Sequence, residues 1–356
     1  MTEAKLKNII NSLEEWAPLS LAESFDNSGF QIGNYNQLIK KVLIAVDLDQ
    51  ATLDVLQKQR FDLVITHHPL LFKPISTINT EKSLGKIITF LIKNNISLYS
   101  MHTNLDFIQL GVNDALINAY GFDPDQGKLI RPKPLATWCK MIVYVPEENL
   151  NEFREKIFKQ FPSKIGNYTS CSFFTIGEGS FKPLEGAEPY IGAINQFEKV
   201  KEIKFEFLIK KTEIQNCIDY VRMIHPYEEP AFDIFEEQFS LQKIGAAKYF
   251  KNSQKLALQE LCKKYPCQVS SKIQKEIDLI AFAPGNASYL AADFINKKID
   301  LIVTGEMGYH EKSLLELNGI IVLELGHKES EEFVLPNIKN FLLGKYPFLN
   351  IDSITK

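Results

Sequence analysis

The chain has 356 residues, 45% of them hydrophobic and 24% charged, with a net charge of −4. That length calls for two or three domains with ample buried core, and the composition excludes extensive disorder. Without a basic excess there is no electrostatic footprint for phosphate backbones, so nucleic acid is not expected as a primary partner.

The N-terminal stretch Met1-Thr-Glu-Ala-Lys-Leu-Lys-Asn-Ile-Ile10 is charged and amphipathic, unlike a signal peptide, and no run reaches membrane-spanning length. A cytoplasmic protein away from membranes is expected. Asp26-Asn-Ser-Gly29 reads as a turn, because Asp and Asn bond their own backbone and Gly accepts positive φ. Three apolar runs follow: Val42-Leu-Ile-Ala-Val-Asp47, Phe61-Asp-Leu-Val-Ile-Thr-His67-His68 and Ile96-Ser-Leu-Tyr-Ser-Met-His102. Their lengths predict buried strands, and between them the spacing of Leu84, Ile87, Ile88, Leu91 and Ile92 predicts a helix over 82–94.

The prolines of Arg131-Pro-Lys-Pro134 suit an extended linker, and different material follows. Residues 138–146 and 201–209 read as strands, 148–161 and 213–224 as amphipathic helices, together a small α+β module. His225-Pro-Tyr-Glu-Glu-Pro230 reads as a rigid turn with a stacked aromatic, apart from any metal site. Near Gln242-Lys-Ile-Gly-Ala246 the first kind of pattern resumes. Residues 277–331 then echo the earlier runs, as Ile277-Asp-Leu-Ile-Ala-Phe-Ala283, Ile299-Asp-Leu-Ile-Val-Thr-Gly-Glu306 and Ile320-Ile-Val-Leu-Glu-Leu-Gly-His327. Helical spacing recurs over 287–297 and 309–317. Residues 1–132 and 243–356 are thus expected to form one discontinuous α/β core of pseudo-repeated three-strand units, with 133–242 inserted. Strand, helix, strand order implies right-handed parallel crossovers, with functional groups beyond the carboxyl ends of the strands.

Six histidines occur, and His67 and His68 stand together where a strand ends before Pro69. Neighbours on a regular strand point to opposite faces, so only at a strand end can both approach one site. His102 and Asp106 are four apart, as are His327 and Glu331, each pair following the third strand of its half. If the chain turns helical there, each pair shares a face and offers a nitrogen and a carboxylate to a divalent ion. With His67 and His68 the set suffices for two ions, a recurrent hydrolytic device. Zinc, iron, manganese or nickel would suit such ligands. Glu306, at the equivalent strand end of the second half, is a candidate base, and His310 a candidate for steering substrate. The five cysteines, at 139, 171, 217, 262 and 267, lie outside these motifs and read as reduced structural thiols, which argues against a closed structural zinc site.

Asp26-Asn-Ser-Gly29-Phe-Gln-Ile-Gly33, Thr66-His-His-Pro-Leu70, His102-Thr-Asn-Leu-Asp106, Thr304-Gly-Glu306 and Gly326-His-Lys-Glu-Ser-Glu331 resemble, in order, the blocks of the NIF3-like proteins, also described as GTP cyclohydrolase I type 2 homologues. The resemblance implies a dinuclear centre held by His67, His68, Asp106, His327 and Glu331, with His102, Glu306 and His310 close by as catalytic candidates. It also implies a toroidal homohexamer, and an insert similar to the ferredoxin-like CutA and PII domains. The segment Ala281–Ser288 carries fewer glycines than that family's loop, a departure that bears on backbone approach to a ligand there. The expected function is metal-dependent hydrolysis of a nucleotide or other cyclic substrate, GTP ring opening among the candidates. Without a P-loop, a nucleotide would be held by metals and side chains. The alternative is a non-enzymatic metal-handling or regulatory scaffold with the insert as interaction module.

Overall fold

The computed structural model describes residues 3–132, 138–165, 167–236, 244–270 and 276–354. The chain divides into two compact units, one built from 1–133 with 242–356 and the other from 134–241. Parts of the two expected linkers, 133–134 and 242–243, lie outside the described residues.

In the first unit the N-terminal half supplies β1 (Gly29–Ile32), β2 (Lys41–Ala45), β3 (Leu63–Thr66) and β4 (Ser97–Ser100). β3 and β4 are buried at every position, and β2 at all but its first, as strands covered on both faces require. β2, β3 and β4 run parallel, and β1 closes one edge antiparallel to β4. The predicted helix over 82–94 is Ser83–Lys93, and Gln50–Lys58 is a further helix whose N-cap Asp49 accepts the Thr52 N–H at 2.9 Å.

The end of the N-terminal half supplies β5 (Lys128–Pro132), and the C-terminal half supplies β6 (Gly245–Lys251), β7 (Gln268–Val269), β8 (Leu279–Asn286), β9 (Leu301–Glu306), β10 (Ile321–Glu324) and β11 (Asn350–Ser353). A six-stranded sheet runs β7-β10-β9-β8-β6-β5 with β8, β9 and β10 parallel. β11 leaves this half and joins the first sheet beside β2, again parallel. The expected 287–297 helix is a 3-10 turn, Ser288–Leu290, followed by α-helix Ala291–Asn296. Tyr309–Leu317 is helical as its spacing predicts.

The echo between the halves extends to individual hydrogen bonds. The Asp62 carboxylate accepts the N–H groups of Lys40 and Lys41, both at 2.9 Å, fastening the start of β2 to β3. Asp300 accepts those of Asp278 and Leu279, at 3.0 and 2.9 Å, and does the same for β8 and β9. The halves are clasped by a buried ion pair, Lys248 Nζ to Asp114 at 2.6 Å, and by Asn113, whose amide donates to the carbonyls of Gly245 and Ala246.

The second unit has the order strand Trp138–Pro146, helix Leu150–Gln160, strands Ser172–Phe181 and Glu198–Lys210, helix Ile214–Ile224, strand Phe232–Glu236. The sheet places Ser172–Phe181 beside Glu198–Lys210, then Trp138–Pro146, then Phe232–Glu236, all antiparallel. This is a ferredoxin-like split βαβ arrangement. Sequence periodicity misses Ser172–Phe181, an exposed edge strand with glycines at 177 and 179. His225 closes the second helix into a turn: its Nε2 lies 2.9 Å from the Tyr144 carbonyl, and its Nδ1 accepts the Tyr227 N–H at 3.0 Å.

Candidate metal centre

The site sits at the carboxyl ends of both parallel sets in the first unit. Beyond β3, the backbone N–H groups of His67 and His68 still bond to the carbonyls of Ala45 and Val46, so the chain stays registered while the strand ends. Both rings can then turn to one side, with centroids 4.9 Å apart. His67 is fully buried and its Nδ1 lies 2.7 Å from the Met101 carbonyl. His68 Nδ1 lies 2.8 Å from Asp47, at the end of the β2 run. His102 caps the short helix Thr103–Asp106, with its Nδ1 2.7 Å from Asp26. In the other half His327 opens the helix His327–Glu331, and its Nδ1 lies 3.1 Å from Glu306.

With each Nδ1 engaged by an oxygen acceptor, three of the remaining nitrogens turn to one buried carboxylate. Glu331 stands 3.6 Å from His67 Nε2, 3.1 Å from His68 Nε2 and 3.3 Å from His327 Nε2. Asp106 is also 3.6 Å from His67 Nε2. His67 Nε2 is buried without a hydrogen-bond partner among the described residues. A separation of 3.6 Å is too long for a hydrogen bond. It is close to the roughly 3.4 Å between two ligands that share a tetrahedral ion at ordinary zinc bond lengths. Two groups meet the spacing for a cation, His67 with His68 and His102, and His68 with His327 and Glu331. Imidazole and carboxylate donors at this spacing fit a metal ion.

Electrostatics agrees with tight mutual dependence. Burial opposes ionisation of Glu331, yet the imidazoles of His67, His327 and His68 hold it well below the usual carboxylate range. Burial also disfavours the His68 cation, but the hydrogen bonds with Asp47 and Glu331 push it up to about 10. The bond to Glu331 is the main reason His327 rises to about 9. The Asp26 side chain is shielded from solvent, and hydrogen bonds from His102, Ser28 and Thr103 outweigh that desolvation to keep it ionised.

The family model described as Duf34/NIF3 (NGG1p interacting factor 3) matches residues 4–354. The chain belongs to the NIF3 family. A protein named GTP cyclohydrolase 1 type 2 homolog from Halalkalibacterium halodurans is 30% identical over 334 residues, covering 92% of this chain and 89% of that one. The homolog of the same name from Bacillus subtilis is 31% identical over 328 residues, covering 90% and 87%. The crystal structure of a Bacillus cereus protein related to NIF3 superposes with a TM-score of 0.82 at 28% identity, over 99% of this chain and 97% of that one.

Within this NIF3 chain the structure brings together His67, His68, His102, Asp106, Glu306, His327 and Glu331. His310 stands apart, exposed on the first turn of Tyr309–Leu317 with its ring against Tyr309. Sequence reasoning missed Asp26 and Asp47, which set the orientation of His102 and His68. A carboxylate at the end of the first strand of the repeat was the available signal for Asp47. Gly285 was not singled out in the sequence, and its backbone packs against the helix that carries Glu331. Its φ is +65°, and a Cβ would come within 2.6 Å of Glu331 Oε1. Its N–H donates to Ser330 Oγ at 2.9 Å, which binds the loop to the helix carrying Glu331. No helix among the described residues is long and apolar enough to cross a membrane.

Proposed function

We propose that this chain is a metal-dependent hydrolase with a dinuclear centre held by His67, His68, Asp106, His327 and Glu331. One observation carries the reading: His67, His68 and His327, each with Nδ1 engaged by an oxygen, direct Nε2 at the same buried Glu331 carboxylate. Oxygens that orient the far nitrogen of an imidazole are the usual outer support of a metal ligand. When bound, divalent ions supply Lewis acidity that polarises an electrophile and acidifies water.

The chain's own residues do the rest. Glu331 has one oxygen toward His67 and His327 and the other toward His68, the disposition of a bridging carboxylate. Glu306 is exposed beside His327 and accepts the Asn286 amide at 3.1 Å, so it is placed to take a proton from the reacting group. His102, fixed by Asp26, orients the substrate. The names of the relatives support a nucleotide or other cyclic amidine or amide as substrate, GTP among the candidates. Zinc, iron, manganese or nickel fits the ligands. We place the protein in the cytoplasm as a homohexamer, with residues 133–242 as a PII- or CutA-like module.

A second reading is a metal-handling or regulatory scaffold, favoured by the separate compact unit at 134–241. Metal analysis combined with turnover assays on GTP, other nucleotides and cyclic amides separates the two. Two ions per chain with turnover that His68→Ala abolishes is the expected result. Full metal loading without turnover on any of these substrates would sink the hydrolase reading and leave the scaffold.

A further inference from the structure

The His225-Pro-Tyr-Glu-Glu-Pro230 turn plays no part in the metal centre, yet it forms a wall of a separate cavity of about 280 Å³ within the second unit. Phe181, Tyr190 and Tyr227 supply aromatic surface to it. The Tyr227 ring lies 5.9 Å from Phe181 and 6.2 Å from Tyr190, so the three rings form one cluster in the wall of the cavity. Prolines 183 and 189 and Ile191 complete an apolar lining. Into this surface project three carboxylates, those of Glu202, Glu228 and Glu229, against the single ammonium of Lys182 among the lining residues.

Two details distinguish this from a solvated acidic surface. The Tyr227 hydroxyl is buried against the Glu202 carboxylate, which places a phenol and a carboxylate together at the wall of the cavity. Burial, and then the nearby Glu202, push that phenol far above its ordinary range, so it stays a neutral donor and acceptor. Glu228 is fixed in place by the Glu188 N–H, 3.1 Å from each oxygen.

Aromatic faces carry negative quadrupole density and attract cations, while carboxylates at the rim neutralise them. Concave, mostly apolar sites with a few placed polar groups are where small molecules bind. An anion would face three like charges. We infer that this cavity binds a small organic cation, an alkylammonium whose apolar substituents lie against Tyr190, Tyr227 and Phe181 and whose charge faces Glu202 and Glu229. The site is independent of the metal chemistry, because all of its residues belong to the second unit.

Choline and 3,3-dimethylbutan-1-ol, which have the same shape but differ in charge, test this on the full chain by calorimetry and saturation-transfer NMR. Choline is expected to bind, and its uncharged counterpart roughly tenfold more weakly or worse. Tyr190→Leu and Glu229→Gln alter exposed side chains, so folding is expected to be unchanged by thermal denaturation while choline binding weakens severalfold in each. Chelation of metal should leave choline affinity unchanged. Equal binding of the two probes, no measurable choline binding, indifference to both substitutions, or loss of binding on chelation would each overturn the inference.

Discussion

The two halves of the metal-binding unit solve one geometric problem with opposite materials. After β3 the chain reads Thr66-His67-His68, and after the equivalent β9 it reads Thr304-Gly305-Glu306. Thr66 Oγ1 donates to the His68 carbonyl at 2.8 Å, and Thr304 Oγ1 reaches the Glu306 carbonyl at 3.4 Å. The backbone is therefore repeated while the side chains diverge. Where the first half fills the space with a buried imidazole, the second empties it. A Cβ at Gly305 would lie 2.5 Å from Ser330 Oγ and 2.6 Å from the Gly285 carbonyl, so glycine lets the Glu331 helix close in. The first half brings His67 and His68 at a strand end, and the second brings His327 and the buried Glu331 carboxylate on a helix. A duplicated scaffold can thus evolve an asymmetric site without changing its framework.

Breaking the shared element should have the largest effect. Glu331→Gln keeps the shape but removes the charge that three imidazoles face. Metal content is expected to drop from two ions to below one per chain, with turnover lost, as read by elemental analysis and assay. Retention of both ions would assign the bridge elsewhere.

Gly305→Ala attacks the closeness that only the second half requires. Two contacts under 3.0 Å, one of them with backbone, force a shift. A loss of about 1–3 kcal/mol is expected in denaturant unfolding, as for other overpacked sites. A neutral result would mean the loop at Gly285 yields freely.

Equivalence of the frameworks can be tested by Asp62→Ala and Asp300→Ala. Each removes two charge-assisted bonds to successive backbone N–H groups. Costs of about 1–3 kcal/mol, similar in the two variants, are expected. A large inequality would show that one half dominates stability.

The smallest effect concerns protons. In chelated protein His68 and His327, raised to about 10 and about 9, hold protons at neutral pH. Their folded values exceed the ordinary histidine value of about 6.5, so this stabilisation is complete below that pH. It is lost as pH rises through about 9 to 10, and the thermal midpoint of chelated protein should fall there. Metal binding at neutral pH should release protons, visible as a binding enthalpy that changes with the ionisation enthalpy of the buffer. A buffer-independent enthalpy would show that these imidazoles are already neutral.

Much of the centre was legible because its ligands sit at the ends of apolar runs, where periodicity marks both strand and boundary. His67 and His68, and the two pairs spaced by four, needed only that rule. Asp26 was not legible as a partner, since it meets His102 from 76 positions away and local spacing carries no trace of such contacts. Strand β11 escaped for a different reason. Asn350-Ile-Asp-Ser353 is too short and polar for its pattern to stand out, and only the neighbouring β2 explains it. His310, read from the sequence only as a candidate for steering substrate, lies on the first turn of Tyr309–Leu317 and is exposed.

The same strand bears on how the protein is made. β11 covers the free edge of β2 with parallel hydrogen bonds, although the two lie near opposite ends of this sequence. While the chain emerges from the ribosome, the sheet that carries His67 and His68 presents an unprotected edge, and open edges invite pairing with other chains. Completion of this sheet therefore waits until residues 350–353 have been translated, which makes a pause or truncation before that point a moment of aggregation risk.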